Sequence, residues 1–260
     1  MPSVKEQLST VERLLSTAGA REWRQVYDQA VADGFGQGFG LIEAKILYGM
    51  LQALRPQRVV EVGGGVSSAC IAHALKANAA HASHVIIEPF PSPALRRLDS
   101  PCLLVQPVQL TNPEVFRELG PGDLLFIDST HAVKPGSDVN YLVLEVLPRL
   151  RANVTVHFHD INLPYDYRAD LFETLYQWAE TSLLHAFLIG NTSVEVLVSL
   201  SQIHHQAPDQ FKAIVAEYRP MPTSNGLFAA SSGAHFRQEL HFPTSLYFRT
   251  TREMQPSNVA

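Results

Sequence analysis

The apolar positions fall into two styles along the chain. Up to residue 54 the spacing is helical. Residues 3–33 read as two polar-faced helices, and Ile42, Ile46, Met50 and Leu54 form an i+4 row with Leu47 and Leu51 beside it. Between them, Asp33 to Gly40 carries a glycine at every second position from Gly34 on. Glycine costs conformational entropy in a helix or strand, so this is a pliable loop, either a linker or a flap over a ligand. From Arg58 onward, short apolar runs alternate with helical stretches. Strands are predicted at 58–62, 84–88, 103–106, 124–127 and 154–158. Helices are predicted at 67–75, near Ala94, at 139–150 and at 170–184, the third on a stripe of Val139, Leu142, Val143, Val146, Leu147 and Leu150. Two last strands, 194–198 and 246–249, flank a helix near 210–218 and a Pro-, Ser- and Gly-containing loop at 220–243. Alternating units of this length imply a parallel α/β sheet with helices on both faces. The expected division is an N-terminal helical cap, 1–54, and an α/β domain, 55–260.

Composition narrows the function classes. The 260 residues are 46% hydrophobic and 17% charged, with a net charge of −5. That suits one large folded domain with added helices. No basic footprint for nucleic acid is expected, because no run of Lys or Arg stands out. No stretch reaches the roughly 18 apolar residues of a membrane span, and the N-terminus does not read as a signal peptide. Two cysteines, Cys70 and Cys102, suit a reducing compartment, so a cytoplasmic protein is expected. Cys70, in an apolar helical stretch, reads as buried filler.

Open α/β sheets bind ligands beyond the carboxyl ends of their strands, so the residues after each strand carry the chemistry. The first strand runs into Glu61-Val62-Gly63-Gly64-Gly65-Val66-Ser67-Ser68. Glycines let a backbone approach a ligand, and the helix that follows offers free N–H donors at its start. At Gly65 a positive φ is expected, with space a ligand would use. The dinucleotide fingerprint wants glycine where Ser68 stands, which disfavours a nicotinamide oxidoreductase. Glu61 lies inside an apolar strand, where a lone charge is costly. Its partner is either a ligand ammonium or an internal group. Glu88, ending the second strand, can accept both hydroxyls of a ribose.

At this point the chain resembles the class I S-adenosylmethionine-dependent methyltransferases, and more closely the small-molecule and glycan group called methyltransferase family 24. The resemblance rests on Val59-Val60-Glu61-Val62-Gly63-Gly64-Gly65-Val66-Ser67-Ser68, Ile87-Glu88-Pro89, Leu125-Phe126-Ile127-Asp128-Ser129-Thr130-His131 and His157-Phe158-His159-Asp160-Ile161. It implies a Rossmann-like seven-stranded sheet, mostly parallel, with an antiparallel last strand. It also implies that S-adenosylmethionine is the cofactor. Glu61, Gly63, Gly65 and Ser67 would then hold the methionine moiety, with Ser68 and Asp128 nearby. Glu88 would hold the ribose, and residues near Gln109 would border the adenine. The acceptor would be a small molecule, such as a natural product, or a sugar, methylated on oxygen. Such enzymes are often homodimers.

The ends of the fourth and fifth strands gather acids and imidazoles. Asp128 and His131 follow one; His157, His159 and Asp160 belong to the other. His131, His159 and Asp160 are the candidate catalytic residues, with His131 as base toward an acceptor hydroxyl. His157 reads as a core histidine. Related catechol-type methyltransferases bind a divalent cation with an acid after the fourth strand and an Asp-Asn pair after the fifth. Ile161 replaces that Asn, so a metal would need His131 or His159 beside Asp160, a donor set that suits a transition metal better than magnesium. A methyltransferase fold turned to metal-assisted chemistry is the further alternative. His81, His84, His204 and His205 read as surface residues, and the sequence is silent on His235 and His241.

Overall fold

Residues 59 to 62 show how the sheet is covered on both sides. Val59 packs under one layer of helices, while Val60 and Val62 pack under the other. Period-two alternation in a strand buried on both faces does this. The computed structural model describes residues 1–17, 22–36, 38–78, 82–99, 102–167, 171, 175, 178–222 and 240–253. Three helices come first: α1 (Val4–Thr17), α2 (Glu22–Ala32) and α3 (Leu41–Leu54). Then follow β1 (Arg58–Val62), α4 (Val66–Ala77), β2 (Ser83–Ile87), α5 (Pro93–Arg96), β3 (Cys102–Leu104), α6 (Glu114–Arg117) and β4 (Leu124–Ile127). The second half comprises α7 (Asp138–Tyr141), β5 (Thr155–Phe158), α8 (Glu180–Leu188), β6 (Val194–Ser199), α9 (Leu200–Gln206), α10 (Pro208–Ile214) and β7 (Leu246–Thr250).

The seven strands form one sheet in the order β3-β2-β1-β4-β5-β7-β6. β3, β2, β1, β4 and β5 pair in parallel, and β7 lies antiparallel between β5 and β6. The expected Rossmann-like α/β fold, with its antiparallel last strand, is what the chain adopts. Strand order reverses between β1 and β4, which fixes the crevice at their carboxyl ends. One face is covered by α1 to α4, α9 and α10. The other is covered by α6, the 138–150 segment and α8.

Three expectations need correction. The helix expected at 139–150 is not regular: α7 passes into one wide π-turn, Leu142–Val146, and a tight 3-10 turn, Leu147–Arg149. Pro148 has no N–H to continue an α-helical ladder, yet the predicted stripe Val139 to Leu150 is buried. The helix expected at 170–184 begins only at Glu180 and runs to Leu188. Trp178 instead makes an isolated bridge to Ala132, and 168–170, 172–174 and 176–177 lie outside the described residues. Helix α9 was not expected. It buries His204, which the sequence had placed at the surface, against Tyr218 and Phe242. His81, His235 and residues 223–239 of the late loop lie outside the described residues. Among the described residues no helix is long and apolar enough to cross a membrane.

Candidate functional site

The turn after β1 is built by close approach. Gly63 has φ +85°, and a Cβ there would fall 1.8 Å from the backbone oxygen of Asp128. The Asp128 N–H in turn donates to the Val62 carbonyl at 2.8 Å. The glycine turn and the end of β4 are therefore in backbone contact, and only glycine fits that point. Gly65 behaves differently from expectation. Its φ of −168° is not left-handed, so the left-handed position is Gly63. A Cβ on Gly65 would meet only the Phe35 oxygen, at 3.7 Å. The space at Gly65 is open, and the carbonyl of the glycine loop that follows α2 borders it.

The partner of Glu61 is internal. Its side chain is fully buried; Oε1 accepts from Ser67 Oγ at 2.7 Å, and Oε2 lies 2.8 Å from His84 Nε2. A ligand ammonium is not needed to balance that charge, and the Ser67 hydroxyl is spent on Glu61 rather than turned to a ligand. This also corrects His84, expected at the surface but buried with its ring against the Glu61 carboxylate. Ser68 Oγ accepts from the Gly65 N–H at 3.1 Å and so shapes the turn. Glu88 accepts from the N–H of Gly64 (3.1 Å) and of Phe90 (2.7 Å) and remains partly exposed at the end of β2. A carboxylate has about four acceptor positions, so capacity for a ribose hydroxyl remains. Gln109, expected beside an adenine, donates to the Gly136 carbonyl at 2.9 Å.

The second half of the site lies across the ends of β4 and β5. Asp128, His131 and Asp160 converge, each offering one ligating atom within 4.8 Å of the others. His131 Nε2 is 3.5 Å from Asp128 Oδ1 and 3.7 Å from Asp160 Oδ2. Both carboxylates are about a quarter exposed, 27% and 25%. His131 (φ 58°) and Asp160 (φ 56°) are non-glycine residues in left-handed backbone. Such conformations cost roughly 1–3 kcal/mol each and persist where the surroundings hold them. Around His131 the hold is clear: its carbonyl accepts from Ala179 and Glu180, and the Thr130 N–H and Oγ1 both donate to Asp138.

Two buried acids that sequence reasoning missed stand behind this triad. Glu180, at the start of α8, takes His131 Nδ1 at 2.7 Å and the Ser129 hydroxyl at 2.8 Å. Glu43, in the first turn of α3, lies 3.2 Å from His159 Nε2 and accepts from the Thr244 N–H at 2.9 Å. His159 Nδ1 lies 3.2 Å from Asp128 Oδ1. His159 is thus clamped between two carboxylates and only 1% exposed. It is not placed as a metal ligand or as a group touching an acceptor, contrary to expectation. His157 is buried, as expected of a core histidine: it stacks on Tyr247, 4.2 Å between centroids, and Nε2 lies 2.8 Å from Ser245 Oγ.

The charges set the protonation states. Burial opposes the imidazolium of His131, but hydrogen bonds to Asp128 and Glu180, with the charges of Glu180 and Asp160, outweigh it and raise its pKa to about 10. Burial likewise opposes the charged form of His159, yet Asp160, Asp128 and Glu43 hold it well above the usual histidine range. Burial would raise the Asp128 pKa, but His159 and His131 bring it well below the usual carboxylate range. As it stands His131 carries its own proton, which corrects its expected role as a resting base. The carboxylates of Asp128, Asp160, Glu180 and Glu43 surround the two imidazoles.

A doubly wound sheet with a glycine turn after β1, an acid after β2 and acids after β4 and β5 is an arrangement that can hold a nucleoside cofactor. Residues 60–161 match the family model described as a methyltransferase domain. The resemblance to class I methyltransferases of the family 24 group, read from the sequence, is borne out by that match. No curated protein matches the chain. Among solved structures, the chain is similar to the plantazolicin methyltransferase BpumL, solved with a monoazolic desmethylPZN analog and SAH. Identity is 11% over 96% of this chain and 97% of that one, with a TM-score of 0.50. It is also similar to the SAH-bound methyltransferase PaMTH1 of Podospora anserina, at 17% identity over 66% and 80% of the two chains, TM-score 0.44. Identities this low speak to the fold.

Proposed function

We propose that the protein is an S-adenosylmethionine-dependent methyltransferase acting on an oxygen of a small molecule or sugar, with a divalent transition metal held by Asp128, His131 and Asp160. The observation that carries the reading is the contact between the two halves of the site. The glycine turn touches the backbone of Asp128, so a cofactor at the turn and an acceptor at the triad are neighbours. The open space at Gly65 suits the methionine end of the cofactor, and Glu88 suits the ribose. Holding an acceptor oxygen in line with the methyl carbon supplies most of the acceleration such a transfer needs.

Two carboxylates and one imidazole fit a transition metal, and the Glu180–His131 hydrogen bond is the orienting partner a metal-bound histidine ordinarily has. A bound divalent metal would polarise the acceptor hydroxyl and ease its ionisation. Asp128 and Asp160 present exposed oxygens toward the acceptor side. Ligation through His131 would require Nε2 without its proton, while Glu180 would hold the ring through Nδ1. Trp178 stands 4.5 Å, ring to ring, from His131 and supports a wall for the acceptor. Calorimetry with S-adenosylmethionine, and with NAD as control, tests the cofactor. Binding of the first alone is expected, and no binding of it overturns the whole reading. Methyl loss against a metabolite panel, with and without chelator, tests the triad. Activity that survives chelator removes the metal and leaves the three side chains to position the acceptor alone.

A further inference from the structure

Glu43 is out of place in its own helix. Ile42, Ala44, Ile46 and Leu47 around it are buried apolar residues, and Glu43 itself is 6% exposed. A carboxylate at such a position is costly unless bonded, and a leucine would pack there without that cost. Its contacts, an ion pair with His159 and a hydrogen bond from Thr244, lead in two directions, and both end on the triad. Through His159 (3.2 Å) the first arm reaches Asp128, a further 3.2 Å on. The second runs through Thr244: Glu43 accepts the Thr244 N–H at 2.9 Å, and Thr244 Oγ1 donates to Asp160 Oδ1 at 2.9 Å. One buried acid from the N-terminal helices is thereby linked, through one residue each, to both carboxylates that end β4 and β5. Gly40 belongs to the same device, because a Cβ there would fall 2.1 Å from Glu43 Oε2. The last glycine of the loop before α3 leaves room for this carboxylate. Glu43, Gly40 and Thr244 all lie outside the 60–161 stretch that matches the methyltransferase family.

We infer that Glu43 is a positioning residue: it fixes Asp128 through His159 and Asp160 through Thr244, and so sets the geometry in which the triad takes a cation. The inference rests on the reading of Asp128, His131 and Asp160 as a metal site. Loss of a group bonded directly to a ligand ordinarily weakens metal binding by about 10–100-fold; Glu43 acts one contact further out, so the lower end of that range is expected.

The test uses Co²⁺ alone as probe, by calorimetry, on the wild type and on Glu43→Gln, Glu43→Ala and Gly40→Ala, with S-adenosylmethionine affinity and circular dichroism measured on each. Both Glu43 variants are expected to lose about tenfold in Co²⁺ affinity while cofactor affinity stays within about twofold. Gly40 has φ −79°, which alanine adopts freely, so Gly40→Ala should keep the fold, push the Glu43 carboxylate aside and weaken Co²⁺ in the same direction. Co²⁺ affinity within about twofold of wild type in both Glu43 variants overturns the inference. A wild type that binds cofactor but no Co²⁺ removes the metal reading instead. The role of Glu43 is then decided by a crystal structure of Glu43→Gln. Displaced His159 and Asp160 side chains support it, and unchanged ones overturn it.

Discussion

Substituting alanine for Gly63 and for Gly65, two residues apart in one turn, should give opposite results. At Gly63, φ is +85° and the new Cβ would lie 1.8 Å from Asp128 O. The left-handed backbone costs an L-residue roughly 1–2 kcal/mol, and forcing a methyl into filled space adds about 1–3 kcal/mol more. The obstacle is backbone on a central strand end, so no side-chain rotation relieves it. Gly63→Ala should therefore destabilise the fold by roughly 2–5 kcal/mol, a fall of about 4–20 °C in Tm for a chain of this size. At Gly65, φ is −168° and the nearest atom would be 3.7 Å away, so alanine should change stability by less than about 1 kcal/mol. A bulkier Gly65→Val should still fold, yet fill the open space and abolish S-adenosylmethionine binding. Thermal melts and calorimetry on the three variants make the comparison. Equal Tm losses at both positions would refute the reading of the turn. Retained cofactor affinity in a folded Gly65→Val variant would move the ligand elsewhere.

Other expectations follow from single contacts. Glu88→Ala should weaken S-adenosylmethionine and S-adenosylhomocysteine by about 1.5–3 kcal/mol, since a charged acceptor is lost; unchanged calorimetric affinity would remove Glu88 from the cofactor site. His84→Leu leaves the Glu61 charge buried without its imidazole and should cost about 3–5 kcal/mol in urea unfolding, whereas a near-neutral result would show that Ser67 alone suffices. Burial first, and then the neighbouring His159, holds the His157 pKa well below the ordinary 6.5. Its neutral form stabilises the fold above about pH 6.5, and that contribution is lost as pH falls below this value, where the unfolded chain takes up a proton that the folded one refuses. The urea midpoint of His157→Gln should therefore fall less between pH 7.5 and 5.5 than that of the wild type, and parallel curves would count against a neutral buried imidazole.

What was legible in the sequence follows from what is local. The strands from β1 to β5, and the apolar stripe of 139–150, were readable because each run of apolar residues lies wholly within its own element. The turn Gly63–Gly65 and the acids Glu88, Asp128 and Asp160 were readable because a strand end is a place in sequence as well as in space. Errors about side-chain partners arose where the partner comes from far along the chain. His84 looked like a surface residue because its partner, Glu61, is 23 residues earlier. Glu180 carried no signal in sequence: its partner His131 is 49 residues away, across a segment whose helix begins later than its pattern suggested.

Glu43 is the instructive miss, because a signal was present. A single acid in the run Leu41-Ile42-Glu43-Ala44-Lys45-Ile46-Leu47, on a helix apolar over most of its surface, already poses the question asked of Glu61: what balances the charge? For Glu61 the structure answers with a neighbouring strand and the helix that follows it. For Glu43 the answer is His159 and Thr244, 116 and 201 residues later. The two acids divide the labour of the site. Glu61 spends its charge within the glycine turn and leaves the turn's shape fixed before any ligand arrives. Glu43 spends its charge on the groups that aim Asp128 and Asp160. The proposed cofactor half is therefore shaped by contacts among residues inside the stretch that matches the methyltransferase family. The proposed triad lies in the same stretch, but Glu180 and Thr244, which contact it, and Glu43, which reaches it through His159 and Thr244, come from helices and a loop outside it.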